Sequence, residues 1–170
     1  MAAATRFACA LVVALAVAGP AAAAPRAQTS LESGVLTTIN AFRSQHHLAR
    51  LRLSRPLTTA ARAHSRQMAK DGYFAHESAD GSAFWKRLET FYSESPWRHW
   101  SVGENLLWSS PAIGPREALA RWLASPEHKR NLLNPAWREI GVAAVHATHA
   151  PGVYRGLDVT IVTTDFGVRR

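Results

Sequence analysis

The stretch WLASPEHKRNLLNPAWREIGV, Trp122 to Val142, changes its hydrophobic period partway along its length. A Ser-Pro pair interrupts one apolar helical face, and a short helix follows from Pro126 to Leu133. An Asn-Pro pair ends this helix, and beyond it Ile140 and Val142 begin the alternation of a strand. The stretch therefore predicts a chain in which helices come first and strands come last.

The same periodicities extend this pattern in both directions. Apolar residues at helical spacing, with capping residues and Gly or Pro at the boundaries, predict helices over Leu31 to His47, Leu57 to Asp71 and Ser82 to Phe91, and a fourth that begins at Gly114-Pro115. After the quoted stretch, Leu157, Val159 and Ile161 alternate as in a second strand. Helices followed by strands are typical of the α+β class.

The composition is that of one globular domain. The chain has 170 residues, of which 47% are hydrophobic and 19% charged. This balance excludes disordered, collagenous and multispan membrane proteins. The net charge of +8 is concentrated from Arg43 to Lys70, where seven basic residues occur without an acid. Such a stretch is typical either of a solvated helix face or of a surface that meets anionic envelope polymers, acidic lipid headgroups or nucleic acid.

The N-terminus has the layout of a secretory signal. Arg6 precedes an apolar run that is too short to span a bilayer, and small residues at Ala21 and Ala23 suit cleavage after Ala23. We therefore predict a signal peptide over 1–23, a lead-in over 24–34, a domain over 35–168, and a secreted or periplasmic location without a transmembrane segment in the mature chain. Because the protein is exported, nucleic acid is not an expected partner.

Several common chemistries are excluded by the residues present. Cys9 is the only cysteine and lies within the signal, so the mature chain would have neither thiol catalysis nor disulfides. No GxSxG motif occurs, and the HExxH pattern that begins at His76 fails because its fifth residue is Asp80. His64 shares the apolar stripe of its helix, which predicts a core histidine.

Four motifs together resemble the bacterial branch of the SCP-like, or CAP, superfamily. They are FAHESADGSAFWKRL (Phe74 to Leu88), GENLLW (Gly103 to Trp108), the stretch quoted above, and TTDFG (Thr163 to Gly167). The resemblance extends from Ile39 to Gly167. It implies a three-layer α-β-α sandwich in which helices cover both faces of a small antiparallel sheet.

The resemblance also implies a cleft with two histidines and two acids. Its first histidine falls on His76, its first acid on Glu104 and its second histidine on His128. The fourth position departs from the pattern, because Ser125 stands where animal and plant members have an acid. Glu127 is the nearest carboxylate in sequence and could partly substitute for it. Members of the family hold zinc through the two histidines, so Zn²⁺ or another divalent cation is implied, with His76, His128 and Glu104 as ligands.

Two functions remain open at this stage. The first is an exported protein that binds a lipid, a sterol or another envelope component in this cleft, with or without a divalent metal. The second is a metal-dependent hydrolase acting on peptides or cell-wall material, in which the metal would activate a water. A structural alternative also stands for Glu104, whose carboxylate could accept backbone N–H groups and hold the GENL segment as a turn.

Overall fold

The structure is a computed structural model that describes residues 30–170, so the predicted signal peptide and residues 24–29 of the lead-in lie outside the described residues. The helices are α1 (Ser30–Gln45), α2 (Arg55–Asp71), α3 (Phe84–Phe91), α4 (Pro115–Leu123) and α5 (Pro126–Leu133). The strands are β1 (Arg52–Leu53), β2 (Trp100–Ser109), β3 (Glu139–Ala150) and β4 (Leu157–Arg169). A 3₁₀ turn, Gly152–Tyr154, joins the last two strands.

The five helices confirm the predicted ones to within a few residues. Helix α2 shows why the sequence signals were reliable: Pro56 lies in its first turn, and Gly72 ends it in the left-handed conformation with φ of 71°. Ser125 precedes α5 as predicted, although its side chain makes no capping hydrogen bond. None of the helices within residues 30–170 has the length and apolar character needed to cross a lipid bilayer.

The sheet is mixed rather than purely antiparallel. Its strand order is β1-β3-β4-β2, with β3 and β2 both antiparallel to β4. The two-residue strand β1 pairs with β3 in parallel, which corrects the expectation of an antiparallel sheet. The parallel pair arises because the chain leaves α1 and enters α2 beside the start of β3, where Ser54 N donates to Ile140 O at 2.8 Å.

Three layers result, as the family resemblance implied. On one face, α1, α4 and α5 pack on Val142, Val162 and Leu107. On the other face, α2 covers Ile161 and Leu106. The close approach of α2 depends on Gly141, because a Cβ at that position would lie 2.1 Å from the carbonyl carbon of Leu57.

The GENLLW segment is part of strand β2, not a turn. Alternation did not reveal this strand because both of its faces are covered, so adjacent Leu106 and Leu107 are both buried in different clusters. Strand β2 forms one edge of the sheet, and Glu104 and Asn105 point to opposite faces of it. Side chains from the two sides of the sheet can approach each other around this edge.

Candidate functional site

The structure brings His76, Glu104 and His128 together at the β2 edge. His76 lies in the loop after α2, on one side of the sheet, and His128 lies on α5, on the other side. Their rings meet beyond the edge strand, with centroids 6.4 Å apart and planes inclined by 56°. The three residues come from motifs more than twenty residues apart, so the tertiary fold alone assembles them.

Glu104 is the buried centre of the site. Its side chain is fully buried; Oε1 accepts from His76 Nδ1 at 2.8 Å and Oε2 accepts from Arg87 Nη2 at 2.6 Å. Burial alone would raise the pKa of Glu104, but the hydrogen bond from His76 and the charge of Arg87 outweigh it and lower the pKa. The carboxylate therefore stays ionised, and it orients a ring and a guanidinium instead of holding backbone N–H groups of a turn.

Arg87, on α3, was missed by the sequence analysis. Besides its ion pair with Glu104, its Nη1 donates to Ser78 Oγ at 2.9 Å and both of its terminal nitrogens donate to His76 O at 3.2 Å. The guanidinium thus holds both the loop that carries His76 and the carboxylate that orients its ring. It lies within the motif from Phe74 to Leu88, but a basic residue among the apolar positions of a short helix did not indicate a role in the site.

His76 is held so that one of its nitrogens remains available. A carboxylate accepts only from a protonated nitrogen, so Nδ1 carries the proton and Nε2 is the nitrogen that can bind a ligand. The hydrogen bond with Glu104 raises the pKa of His76. The side chain is 45% exposed, which leaves the ring room to approach a bound ion.

His128 is favoured in the neutral form. Burial lowers the pKa of its imidazole, and the charge of His76 lowers it further. Its helix is tied to the edge strand by two asparagines: Asn105 Nδ2 donates to His128 O at 3.1 Å, and Asn131 Nδ2 donates to Glu104 O at 3.1 Å. These two hydrogen bonds hold the helix that carries the second histidine against the edge strand.

Ser125 and Glu127 lie beside this group without joining it. Within residues 30–170, the structure gives neither residue a hydrogen bond to His76, Glu104 or His128. Glu127 is exposed and faces Arg130 at 3.7 Å, one turn along the helix. The charge of Glu127 still acts on His128, where it opposes part of the lowering of the pKa, and its partial substitution for the second acid stays a prediction.

A second carboxyl does reach Glu104, from the opposite strand. Asp165 of the TTDFG motif is the Cα partner of Glu104 in the β2–β4 register, and its side chain is fully buried. Its two oxygens meet no donor among residues 30–170, but it lies within hydrogen-bonding reach of Glu104. Burial, together with the charge of Glu104, raises the pKa of Asp165 well above its usual range. The raised pKa favours the protonated form of the Asp165 carboxyl, the only form that can donate to the Glu104 carboxylate.

Asp165→Asn is expected to stabilise the protein at pH 8 by roughly 1–3 kcal/mol, which is the usual cost of a buried polar group that lacks a hydrogen-bond partner. The amide can donate to Glu104 as the acid does, but it does not ionise when the chain unfolds. Because the folded-state pKa is raised, wild-type stability falls as pH rises above the unfolded pKa near 3.8. Urea unfolding at pH 4 and pH 8 checks this: the two proteins should converge at pH 4. A difference between the two proteins that is the same at both pH values would show that folding does not raise the pKa of Asp165.

His64 is confirmed as a core histidine. It is fully buried, and its Nε2 lies 2.9 Å from Ala75 O, to which it donates. Its Nδ1 meets no partner within residues 30–170. Burial is the main cause that lowers the pKa of His64 to about 4.

Among residues 30–170, no group of three or more His, Cys, Asp or Glu side chains is arranged to hold a metal ion. The two histidines nonetheless suit one. A Zn–N bond of about 2.1 Å places each ring centre about 3.2 Å from the metal, and tetrahedral angles would then separate the two centres by about 5 Å. The observed 6.4 Å requires an approach of the rings by only about 1 Å.

Comparison with known proteins gives a consistent result. The model of the cysteine-rich secretory protein family, CAP, matches residues 36–164. The fold is similar to that of an extracellular protein with an SCP domain from Bacillus anthracis, with a TM-score of 0.61 and 27% identity over 82% of this chain and 40% of that one. It is also similar to that of an outer surface protein from Borrelia burgdorferi, with a TM-score of 0.61 and 20% identity over 80% and 90% of the two chains.

Curated relatives in Bacillus subtilis are longer than this chain. YkwD, an uncharacterised protein, is 29% identical over 73% of this chain and 46% of its own length. YlbC, an uncharacterised membrane protein, is 32% identical over 68% of this chain and 32% of its own length. The chain thus spans less than half the length of either relative.

Proposed function

Because the chain belongs to the cysteine-rich secretory protein (CAP) family, we propose that it is exported and binds a lipid, sterol or other envelope component. A divalent cation held by His76 and His128 would form part of the binding site. The observation that carries the proposal is the pairing of His76 Nδ1 with Glu104, which leaves Nε2 outside that pairing, together with the second imidazole, whose ring centroid is 6.4 Å from that of His76. Export is supported by the extracellular and surface proteins whose fold it shares and by the predicted signal over 1–23.

Glu104 serves this site as an orienting group. Both of its oxygens are engaged, one by His76 and one by Arg87, so its carboxylate acts behind the ring that would bind the metal. A carboxylate in that position fixes the tautomer of a ligating histidine and makes its free nitrogen more basic. The metal ligands are therefore assigned to the two histidines, with Glu104 in support.

A bound zinc ion would supply a Lewis acid that attracts an anionic or carbonyl oxygen of the ligand. The chain offers room for the rest of such a ligand on α5. A depression of about 640 Å³ is lined there by Leu133, Pro126 and Pro135 together with Lys129 and Arg130, and it shares Asn131 with the site. An apolar floor with two flanking cations suits an amphipathic anion.

The experiment is a calorimetric titration of zinc into the metal-free protein. We expect one zinc per chain with micromolar affinity in the wild type, and loss of that heat in His76→Ala and in His128→Ala. His146→Ala and His149→Ala are matched controls, because both histidines are exposed on β3, away from the site. These controls should bind zinc as the wild type does. Absence of binding in the wild type, or equal loss in all four variants, would contradict the proposal.

A further inference from the structure

The outer face of α2 carries a row of cations that the proposed site does not use. Arg55, Arg62, Arg66 and Lys70 are separated by seven, four and four residues. At about 100° per residue they fall within an arc of about 80°, and at 1.5 Å per residue they extend over about 22 Å. We refer to these four residues as the basic row.

Most of the basic row has no acidic partner. Arg55, Arg66 and Lys70 are exposed, and within residues 30–170 none of them forms an ion pair. Arg62 is the exception: it is half-buried, and its Nη2 lies 2.8 Å from Glu32 Oε1. The nearest acid in sequence, Asp71, is about 160° around the helix from Arg55 and so faces away from the row. The positive charge concentrated in this part of the sequence therefore lies largely on the surface. Arg43 is an exception, because it is buried and donates to backbone carbonyls of Ala49 and Leu132.

A depression of the surface lies beside the middle of the basic row. Small side chains, Thr59 and Ala63, lie between the cations and form the floor of a depression of about 290 Å³ that Arg62 and Arg66 flank. Guanidinium groups favour phosphate because their planar N–H donors match two of its oxygens. Unpartnered like charges four residues apart destabilise a helix, and an anion bound between them would remove that cost.

We propose that the basic row binds a linear polymer of phosphate groups in the cell envelope. Successive cations rise by about 10 Å from Arg55 to Arg62 and then by about 6 Å at each step, so the row suits a chain of charges better than a single anion. No aromatic side chain lies among the cations to stack on nucleic acid bases, and no large apolar side chain lies there to enter a membrane. This surface is independent of the histidine site.

The probe is fluorescently labelled inorganic polyphosphate, with binding followed by anisotropy at several salt concentrations. The variant Arg55→Gln/Arg66→Gln/Lys70→Gln should bind about 10- to 100-fold more weakly than the wild type, and its salt slope should fall by about 2. The matched control is Arg98→Gln/Arg116→Gln/Arg155→Gln, which removes the same charge from exposed positions elsewhere. It should bind nearly as well as the wild type. All substituted residues are exposed, so thermal melting should show intact folds.

Three outcomes would overturn the proposal. Equal weakening in both triple variants would mean that binding follows net charge. No binding of polyphosphate by the wild type would mean that the row is a solvated helix face. Tighter binding of phosphatidylglycerol vesicles or of single-stranded DNA, at equal phosphate concentration, would assign the row to a membrane or to nucleic acid. His76→Ala should bind polyphosphate as the wild type does, which separates this result from the zinc titration.

Discussion

Arg87→Met is expected to lower the free energy of unfolding by about 3–5 kcal/mol, the cost of removing one partner from a buried ion pair. The Arg87 side chain is 8% exposed and that of Glu104 is fully buried, so water does not replace the lost charge. The variant also releases His76 O and Ser78 Oγ, which hold the loop that carries His76. Urea unfolding at pH 7 measures the loss, and the zinc titration of the same variant should show weaker binding.

The double variant Arg87→Met/Glu104→Gln provides the control. Removing the charge of Glu104 as well eliminates the buried carboxylate that has lost its Arg87 partner, so the double variant should be more stable than Arg87→Met alone. Arg87→Lys keeps the charge but cannot reach three acceptors in the same geometry, and it should fall between the wild type and Arg87→Met. A loss below about 1 kcal/mol in Arg87→Met would show that the pair is effectively solvated.

We expect His64 to contribute to the pH dependence of the free energy of unfolding. Its pKa is lowered to about 4 in the folded protein, against 6.5 for an exposed imidazole. The unfolded chain therefore binds a proton at a pH where the folded protein does not, and stability falls as the pH drops from 6.5 to 4. The full difference corresponds to about 3 kcal/mol.

His64→Gln isolates this contribution. The amide of the variant can still donate to Ala75 O but does not titrate. Subtracting the variant's unfolding free energy from that of the wild type at each pH therefore cancels the contribution of the other histidines. The difference in unfolding free energy should be constant above pH 7 and should change by about 3 kcal/mol in favour of the variant by pH 4. Parallel profiles for the two proteins would mean that folding does not lower the pKa of His64. Both sets of measurements need only urea, a buffer series and circular dichroism.

The helices and the last two strands could be predicted because their signals are local. In α2, one apolar stripe, a proline in the first turn and a glycine at the end define the element without reference to the rest of the chain. Strand β2 could not be predicted in this way, because helices cover both faces and Leu106 and Leu107 are buried side by side in sequence. Trp85 shows the limit of local signals in another way: it is an apolar residue within a helix, yet it is 43% exposed.

In the candidate site, too, some features could be predicted from local motifs and others depended on tertiary contacts. His76, Glu104 and His128 could be named from motifs that resemble a family, but no spacing in the sequence indicated that the two imidazoles meet or which atom of Glu104 faces which partner. Arg87 and Asp165 lie within two of the quoted motifs, but neither was singled out as a site residue. Each acts through a contact between distant segments: one spans 17 residues and the other joins opposite strands of the sheet.

The sequence by itself therefore determined which segments become helices, where the strands of the C-terminal half lie, and which family the motifs resemble, because these depend on local periodicity, capping and short motifs. Only the tertiary structure decided that the sheet is mixed and that the edge strand holds a buried carboxylate between Arg87 and Asp165. It also showed that one face of α2 is left with unpaired cations. The physical reason is that charge, burial and hydrogen bonding are properties of what surrounds a side chain, and in this fold those surroundings come from segments far apart in the chain.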